Sequence, residues 1–249
     1  MSGRSTEICV DQAFVSGGKN VGSLRWVALF ALFALVSLAC TDQAVVDQLG
    51  QEKASLEAQI KELEQKLAGS EAIRTIISDR MEFLARSIQG VTATLVTTEG
   101  DIEVEFYPDK APIHCFNFIT RAEGGFYDGT VFHRVIKNFM IQGGDPLSRD
   151  NNPANDGTGG PVIHIPHEFN DLKHTPGILS MARTTDISMG AGSQFFIMHG
   201  VMPALDGQYT VFGKVTNGMD VVNKIAEGKT APGDRPVKTV RIERIEVRR

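Results

Sequence analysis

The chain is poor in the residues that stabilise small secreted folds or mark nucleic-acid binding. Its 249 residues include only three cysteines, at positions 9, 40 and 115, which excludes a disulfide framework. The net charge is −5 and no segment is strongly basic, so bulk charge gives no reason to expect nucleic-acid binding. No apolar run reaches the roughly 20 residues that cross a bilayer, which argues against a multi-span membrane protein. With 42% hydrophobic residues, however, the chain is too apolar to be wholly disordered.

Near its start the sequence contains one short apolar run, from Trp26 to Ala39. Its 14 residues are too few for a transmembrane helix but suit a signal-peptide core. The end of the run, Val36-Ser37-Leu38-Ala39-Cys40, resembles a bacterial lipobox, in which the cysteine is lipidated after cleavage. We therefore expect residues 1–39 to be a signal peptide and Cys40 to carry a lipid anchor in a bacterial cell envelope, facing the periplasm or on the cell surface. A plain secretory signal and a short membrane anchor are the alternatives.

Residues 40–90 show the heptad pattern typical of a coiled coil. The a and d positions, apolar with one exception, are Val46, Leu49, Lys53, Leu56, Ile60, Leu63 and Leu67. Gly69 and Ser70 interrupt the pattern before a second amphipathic stretch, which predicts two helices with a turn or kink at Gly69, arranged as a stalk or a hairpin. In a parallel pair, Glu52 would face Glu57 of a second copy and Lys53 would occupy a core position, so a homodimer is allowed but not favoured.

Residues 91–249 have the length of one compact domain and the pattern of a mainly β protein. Two alternating segments, 93–97 and 102–106, flank a turn at residues 99–101 and predict a β-hairpin. The chain ends on a further alternating segment, 237–247, and helical signals are confined to 108–121 and 219–225. Many short strands, two helices and frequent glycines predict an antiparallel barrel.

Five motifs lie in this domain in a fixed order. They are Phe132-His133-Arg134 continuing through Phe139-Met140-Ile141-Gln142-Gly143-Gly144-Asp145, then Gly157-Thr158-Gly159-Gly160, Gly177 to Arg183, Gly192-Ser193-Gln194-Phe195-Phe196-Ile197, and Leu205-Asp206-Gly207 to Gly213. Together they resemble the cyclophilin family of peptidyl-prolyl cis–trans isomerases, over essentially all of residues 91–249. The resemblance implies an eight-stranded antiparallel barrel capped by two helices. It also implies an isomerase that needs no cofactor and acts on X–Pro bonds, here those of exported or envelope proteins.

The resemblance gives roles to individual residues. It implies that Arg134 is catalytic, because a guanidinium can donate a hydrogen bond to the prolyl nitrogen once the peptide bond is twisted. The positions implied to bind substrate are His133, Phe139, Met140, Gln142, Ala182, Arg183, Gln194, Phe196, Leu205 and Tyr209. The apolar members would hold the proline ring, and Gln142 would hydrogen-bond the substrate backbone. A surface salt bridge for Arg134, and core packing for the apolar residues, are the structural alternatives.

Three further positions bear on ligand binding and reactivity. Ala204 stands where many eukaryotic members have a tryptophan that supports cyclosporin binding, which implies weak cyclosporin affinity. Tyr209 stands where those members have a pocket histidine, and it keeps an aromatic face and a hydroxyl. Cys115 lies on the first predicted helix of the domain, where we expect it to pack in the core.

Two alternatives compete with the isomerase. The pair His164 and His167 could suggest a metal site, but Pro166 argues against a helix that would place both rings on one face, so no metal is expected. A binding module is the second hypothesis, in which the barrel grips proline-containing segments and residues 42–90 contact a partner. The intact set of polar and apolar residues around Arg134 favours the enzyme.

Overall fold

The computed structural model describes residues 43–150 and 152–249, with side chains from residue 46 onward. The described chain forms two compact units that divide after Ser70. The predicted signal peptide, residues 1–39, and the predicted lipidation site, Cys40, lie outside the described residues. None of the helices in the described ranges is long and apolar enough to span a bilayer.

The first element is a single helix, α1, Gln43–Ser87. It continues through Gly69 and Ser70, so the predicted break at Gly69 and the helical hairpin are wrong. A glycine inside a helix costs about 1 kcal/mol relative to alanine, which the strong helix formers on both sides outweigh. Just beyond the C-terminal end of α1, Ile88 is buried in the hydrophobic core of the second unit.

The second unit contains a curled antiparallel sheet of eight strands, which confirms the mainly β prediction. Its strands are β1 (Thr92–Thr97), β2 (Gly100–Phe106), β3 (Arg134–Ile136), β4 (Met140–Gly143), β5 (Ile178–Arg183), β6 (Ala191–Met198), β7 (Val211–Asn217) and, after the short ribbon of β8 (Thr230–Ala231) and β9 (Arg235–Pro236), β10 (Ile242–Arg248). The order across the sheet is β10-β1-β2-β7-β5-β6-β4-β3. Strands β1 and β2 form the hairpin that the sequence predicts.

The two edges of the sheet are joined, and two helices pack against it. Val131, before β3, forms a bridge with Arg241, before β10. Helix α2 (Pro112–Glu123) packs against β7 and β10, whereas α3 (Met219–Ala226) packs against β2, β3 and β4. The two helices agree with the architecture that the sequence resemblance implies.

Helix α2 is held at its start by a residue from a distant loop. The residue before Pro112 gives no side-chain cap. Instead, the carboxylate of Glu168 accepts hydrogen bonds from the backbone N–H groups of Ile113 at 3.0 Å and His114 at 2.9 Å. Its Oε2 also lies 2.6 Å from Nδ1 of the buried His114 ring. A carboxylate at this point satisfies free N–H groups and interacts favourably with the helix dipole, so Glu168 anchors its loop to α2.

Side chains alternate between the two faces of the strands β3 to β6. Those on one face, such as Val135 and Ile141, join the main hydrophobic core. Those on the other face, including Met140, Phe196 and Met198, form a second and smaller apolar cluster. This second cluster lies on the outward face of the curled sheet.

Candidate active site

A cavity of about 680 Å³ lies over the second apolar cluster, on the outward face of β3, β4 and β6. All predicted site residues but one line it, namely His133, Arg134, Phe139, Met140, Gln142, Ala182, Arg183, Phe196, Leu205 and Tyr209. The exception, Gln194, lines an adjoining depression that shares Gln142, Ala182 and Arg183 with the cavity. The fold therefore brings the predicted residues together although they are spread over four of the five motifs.

Strand register sets the positions of three central side chains. Arg134 of β3 lies opposite Gln142 of β4, and Gln142 lies opposite Phe196 of β6. Directly opposed residues of antiparallel strands point to the same face, with Cβ atoms about 4.5–5.5 Å apart. A cation, an amide and an aromatic ring therefore stand side by side in one row along the cavity.

The Arg134 guanidinium is oriented by the carboxylate of Asp234, whose backbone carbonyl accepts a hydrogen bond from the neighbouring Val135 N–H at 2.7 Å. The Arg134 Nε lies 3.5 Å from Oδ2 of Asp234, and the two side chains are 43% and 47% exposed. An ion pair exposed to this degree contributes little to stability, so its main effect is on the direction of the guanidinium. Arginine has five N–H donors in a planar fork, and one such pair leaves donors for a ligand in the cavity.

His133, the neighbour of Arg134, forms a dry part of the wall. Its side chain is buried, and burial lowers the pKa of its imidazole, against the opposing effect of the Asp145 carboxylate. Neither ring nitrogen has a hydrogen-bond partner among the residues that the structure describes. Since its lowered pKa keeps the ring neutral at pH 7, His133 adds no charge beside Arg134.

The floor of the cavity is apolar. Its side chains are those of Phe139, Met140, Phe196, Leu205 and Tyr209. The rings of Phe196 and Tyr209 meet edge to face, with centroids 5.8 Å apart. The guanidinium carbon of Arg183 lies 4.5 Å from the centroid of the Tyr209 ring and fixes it by a cation–π contact. A floor of this kind excludes water and suits a small apolar ring.

A hydrogen-bonded array that the sequence analysis missed supports this floor. His174 Nδ1 lies 3.1 Å from Asp206 Oδ1, and its Nε2 lies 3.1 Å from Oγ of the buried Ser180. The imidazole stacks on Phe196 with centroids 6.1 Å apart. Burial lowers the pKa of His174, and the hydrogen bond with Asp206 opposes this shift. Ser180 and Asp206 lie within recognised motifs, but no sequence pattern links them to His174.

A further part of the cavity wall was also not predicted. It is formed by two loops, residues 153–157 and 232–235. Asp156 and Arg235 form an ion pair that joins the two loops, and the Asp156 side chain is almost completely buried. Because the loops are far apart in sequence, neither spacing nor periodicity could have identified this contact.

The segment Gly157-Thr158-Gly159-Gly160 forms a loop that lies against Asp145. Gly157 has a φ of +82°, a conformation that favours glycine. The Gly159 N–H donates to Oδ2 of Asp145 at 3.2 Å, and a Cβ on Gly159 would approach Oδ1 of Asp145 to 2.1 Å. Only glycine therefore allows this loop to lie so close to Asp145.

Gln194 supports the site without lining the main cavity. Its Nε2 donates to the carbonyls of Gly157 at 2.9 Å and Gly159 at 2.8 Å. Its Oε1 accepts a hydrogen bond from Gln142 Nε2 at 3.0 Å. Gln194 thus connects the glycine loop to the row that contains Arg134.

The two histidines considered for a metal site bind backbone carbonyls. His164 Nδ1 lies 2.9 Å from the Met189 oxygen, and His167 Nε2 lies 3.1 Å from the Ile187 oxygen. Within the described ranges, no group of three or more histidine, cysteine, aspartate or glutamate side chains is arranged to hold a metal ion. His164 and His167 therefore hold the loop between β5 and β6.

Cys115 is buried in the main core. Its Sγ donates a hydrogen bond to the Phe212 carbonyl at 3.2 Å, and burial raises the pKa of the thiol. A buried thiol with a raised pKa is unreactive, because the thiolate is the nucleophilic form. These contacts agree with the packing role expected from the sequence.

Comparison with known proteins gives this fold and cavity a family. The family model described as "Cyclophilin type peptidyl-prolyl cis-trans isomerase/CLD" matches residues 92–247. "Peptidyl-prolyl cis-trans isomerase cypE" of Dictyostelium discoideum is 48% identical over 157 residues, which cover 61% of this chain and 94% of that protein. "Peptidyl-prolyl cis-trans isomerase CYP18-1" of Arabidopsis thaliana is 42% identical, and the match covers 63% of this chain and 96% of that protein.

A longer relative and a solved structure complete the comparison. "Peptidyl-prolyl cis-trans isomerase 9" of Schizosaccharomyces pombe is 45% identical over 64% of this chain, which spans only 25% of that relative. The crystal structure of a Cryptosporidium parvum cyclophilin type peptidyl-prolyl cis-trans isomerase, determined in the presence of the dipeptide Ala-Pro, superposes with a TM-score of 0.58 at 32% identity. The match covers 64% of this chain and 99% of that one. The fold and cavity are thus those of a peptidyl-prolyl isomerase. The chain belongs to the cyclophilin family.

Proposed function

We propose that the chain rotates X–Pro peptide bonds of polypeptide substrates in the cavity over β3, β4 and β6, with Arg134 as its catalytic residue. The observation that supports this proposal best is the row of Arg134, Gln142 and Phe196 beside an apolar floor. The row sets a strong hydrogen-bond donor next to a dry surface that suits a proline ring.

The reaction explains why such a simple site is sufficient. Rotation about a peptide bond is opposed by the double-bond character of its C–N bond, which sets a barrier of roughly 18–20 kcal/mol. No covalent bond forms or breaks, so the site needs neither a nucleophile nor a cofactor. It needs to hold the proline and to stabilise the twisted amide more strongly than the planar one.

Arg134 is suited to this differential stabilisation. In the twisted amide the prolyl nitrogen becomes pyramidal and gains a lone pair, which accepts a hydrogen bond from the guanidinium. The same nitrogen is a poor acceptor in the planar amide, so the bond strengthens towards the transition state. The neutral His133 and the apolar floor keep water from competing for this contact.

The residues that would position the substrate chain are Gln142, Ala182 and Arg183. In this proposal Gln142 hydrogen-bonds the substrate backbone, and its hydrogen bond to Gln194 fixes the amide. Ala182 and Arg183 border both the cavity and the adjoining depression, along the path of an extended peptide. The proline ring would rest on Phe139, Met140, Phe196 and Leu205.

Isomerisation of an Ala-Pro peptide by the full chain tests the proposed activity. We expect acceleration far above the spontaneous rate, which corresponds to tens to hundreds of seconds. Because Ala204 stands where many eukaryotic cyclophilins have a tryptophan that supports cyclosporin binding, we also expect weak inhibition by cyclosporin. The Ala204→Trp variant should be inhibited at about tenfold lower concentration, equivalent to about 1.4 kcal/mol of added binding. If the wild-type chain bound the Ala-Pro peptide without accelerating its isomerisation, the result would support the binding-module hypothesis instead.

We further propose that the chain acts on exported proteins while held at a bacterial envelope by a lipid on Cys40. The support is the sequence of residues 26–40 alone, since these lie outside the described residues. The named relatives come from Dictyostelium, Arabidopsis and Schizosaccharomyces, so they lend no support to a bacterial setting.

The Cys40→Ser variant tests this location. In a bacterial host, the chain with its wild-type sequence should incorporate radiolabelled palmitate and sediment with membranes. Cys40→Ser should lose the label completely, whereas Cys115→Ser, a change at a buried thiol, should retain it. Equal labelling of the two variants would contradict lipidation at Cys40.

A further inference from the structure

The first unit presents an apolar seam to solvent. We define the seam as the a and d positions of residues 46–67 on α1. Its side chains Val46, Leu56, Ile60, Leu63 and Leu67 are all exposed, Leu63 to 64%. A row of large apolar side chains at heptad spacing is the surface with which helices pair.

We propose that the seam pairs with the same seam of a second copy of this chain, in antiparallel orientation, to form a homodimer. In the register of greatest overlap, Leu56 faces Ile60 of the second copy and Leu49 faces its Leu67. Two features of the sequence distinguish this arrangement from a parallel pair.

The first feature is Lys53, which occupies an a position of the seam. In a parallel pair, identical a positions share a layer, so two Lys53 ammonium groups would meet inside the seam. In the antiparallel pair, Lys53 faces Leu63 of the second copy, and the two ammonium groups lie in different layers. Each can then extend its charged end to solvent over the apolar neighbour.

The second feature is the charge beside the seam. In the antiparallel register, Glu52 of each copy lies next to Lys66 of the other, which gives two attractive pairs. One repulsive contact remains, between the two copies of Glu57 at the centre. A parallel pair instead places Glu52 against Glu57 twice. A parallel pair also brings Lys66 of one copy next to Glu71 of the other, which is attractive. This pairing does not, however, separate the two Lys53 ammonium groups.

Charge reversal at Glu52 tests both the dimer and its orientation. Sedimentation equilibrium of the full chain in mild detergent should show a dimer. Glu52→Lys should raise its dissociation constant by about five- to tenfold, since two attractive pairs become repulsive. The double variant Glu52→Lys/Lys66→Glu should restore the affinity, because the charges are exchanged across the same pairs. Gln51→Lys, on the face away from the seam, is the matched control and should leave the dimer unchanged.

Each alternative has a distinct result. A parallel dimer would be tightened by Glu52→Lys, because the introduced ammonium group would then face Glu57, and this would overturn the proposed orientation. A monomer at all concentrations, or a dimer indifferent to Glu52→Lys and to Leu63→Glu, would overturn pairing through the seam. Circular dichroism at 222 nm checks that the helix of every variant is intact.

Discussion

Arg134→Ala is expected to lower kcat/KM for an Ala-Pro peptide by about a hundredfold or more, the usual cost of removing one donor aimed at a transition state. The affinity for the peptide should change much less, because the apolar floor and Gln142 remain. Arg134 is partly exposed and its ion pair with Asp234 is weak, so the variant should keep its fold. Stopped-flow or NMR exchange kinetics, together with a peptide titration, separate the two effects.

Two further variants sharpen this test. Arg134→Lys retains the charge but replaces the planar fork by a point charge, so we expect it to recover only part of the lost rate. Lys137→Ala removes a nearby cation that pairs with Glu227 and does not line the cavity, and it should leave the rate unchanged. A wild-type rate in Arg134→Ala would remove Arg134 from the catalytic role.

Glu168→Ala should have the largest effect on stability, a loss of about 3–5 kcal/mol, because three hydrogen-bond contacts to one largely buried carboxylate are lost together. The change deprives the N–H groups of Ile113 and His114 of their acceptor and leaves the buried His114 ring without its carboxylate. All three tyrosines, Tyr107, Tyr127 and Tyr209, lie in the second unit, so their fluorescence during urea unfolding reports on its stability.

The control for this prediction comes from the same loop. Asp171 makes an exposed ion pair with Lys110, and Asp171→Ala should cost less than about 1 kcal/mol. Glu168→Gln retains an acceptor oxygen for one backbone N–H and should fall between the two. If Glu168→Ala and Asp171→Ala were equally mild, the carboxylate would not be the anchor of α2.

The sequence predicts the fold and the inner part of the site because both depend on local patterns. Alternation of apolar and polar side chains identifies strands such as β2. Arg134, Gln142 and Phe196 are predicted because they lie within the cyclophilin-like motifs. The contacts it missed join residues that no pattern links, such as Asp156 with Arg235 and Glu168 with His114. Such contacts depend on how loops fold over the sheet, which is a property of the tertiary structure.

The error at Gly69 has a different origin. Glycine is a reliable stop signal only where the chain needs a left-handed conformation or a cap, and the local sequence does not tell whether it does. Residues on both sides of Gly69 favour a helix, and their summed propensity exceeds the cost of one glycine. The predicted break rested on Gly69 alone, whereas the summed helix propensity of the surrounding residues determines whether the helix continues.

In the strands around the cavity, even-numbered and odd-numbered residues have different roles, because their side chains point to opposite faces of the sheet. In β3 to β6 the cavity-facing residues Arg134, Gln142 and Phe196 are even-numbered, whereas odd-numbered neighbours such as Val135 and Phe195 fill the interior. Arg183 is the exception, because it follows a register shift in β5 and lines the cavity at an odd-numbered position. Changes at even positions can alter which peptides are accepted without creating a void in the core. Substrate preference can therefore diverge during evolution while the odd positions, constrained by packing, preserve the scaffold. A one-residue deletion within β4 would exchange the two faces of that strand and so disrupt both the cavity and the core.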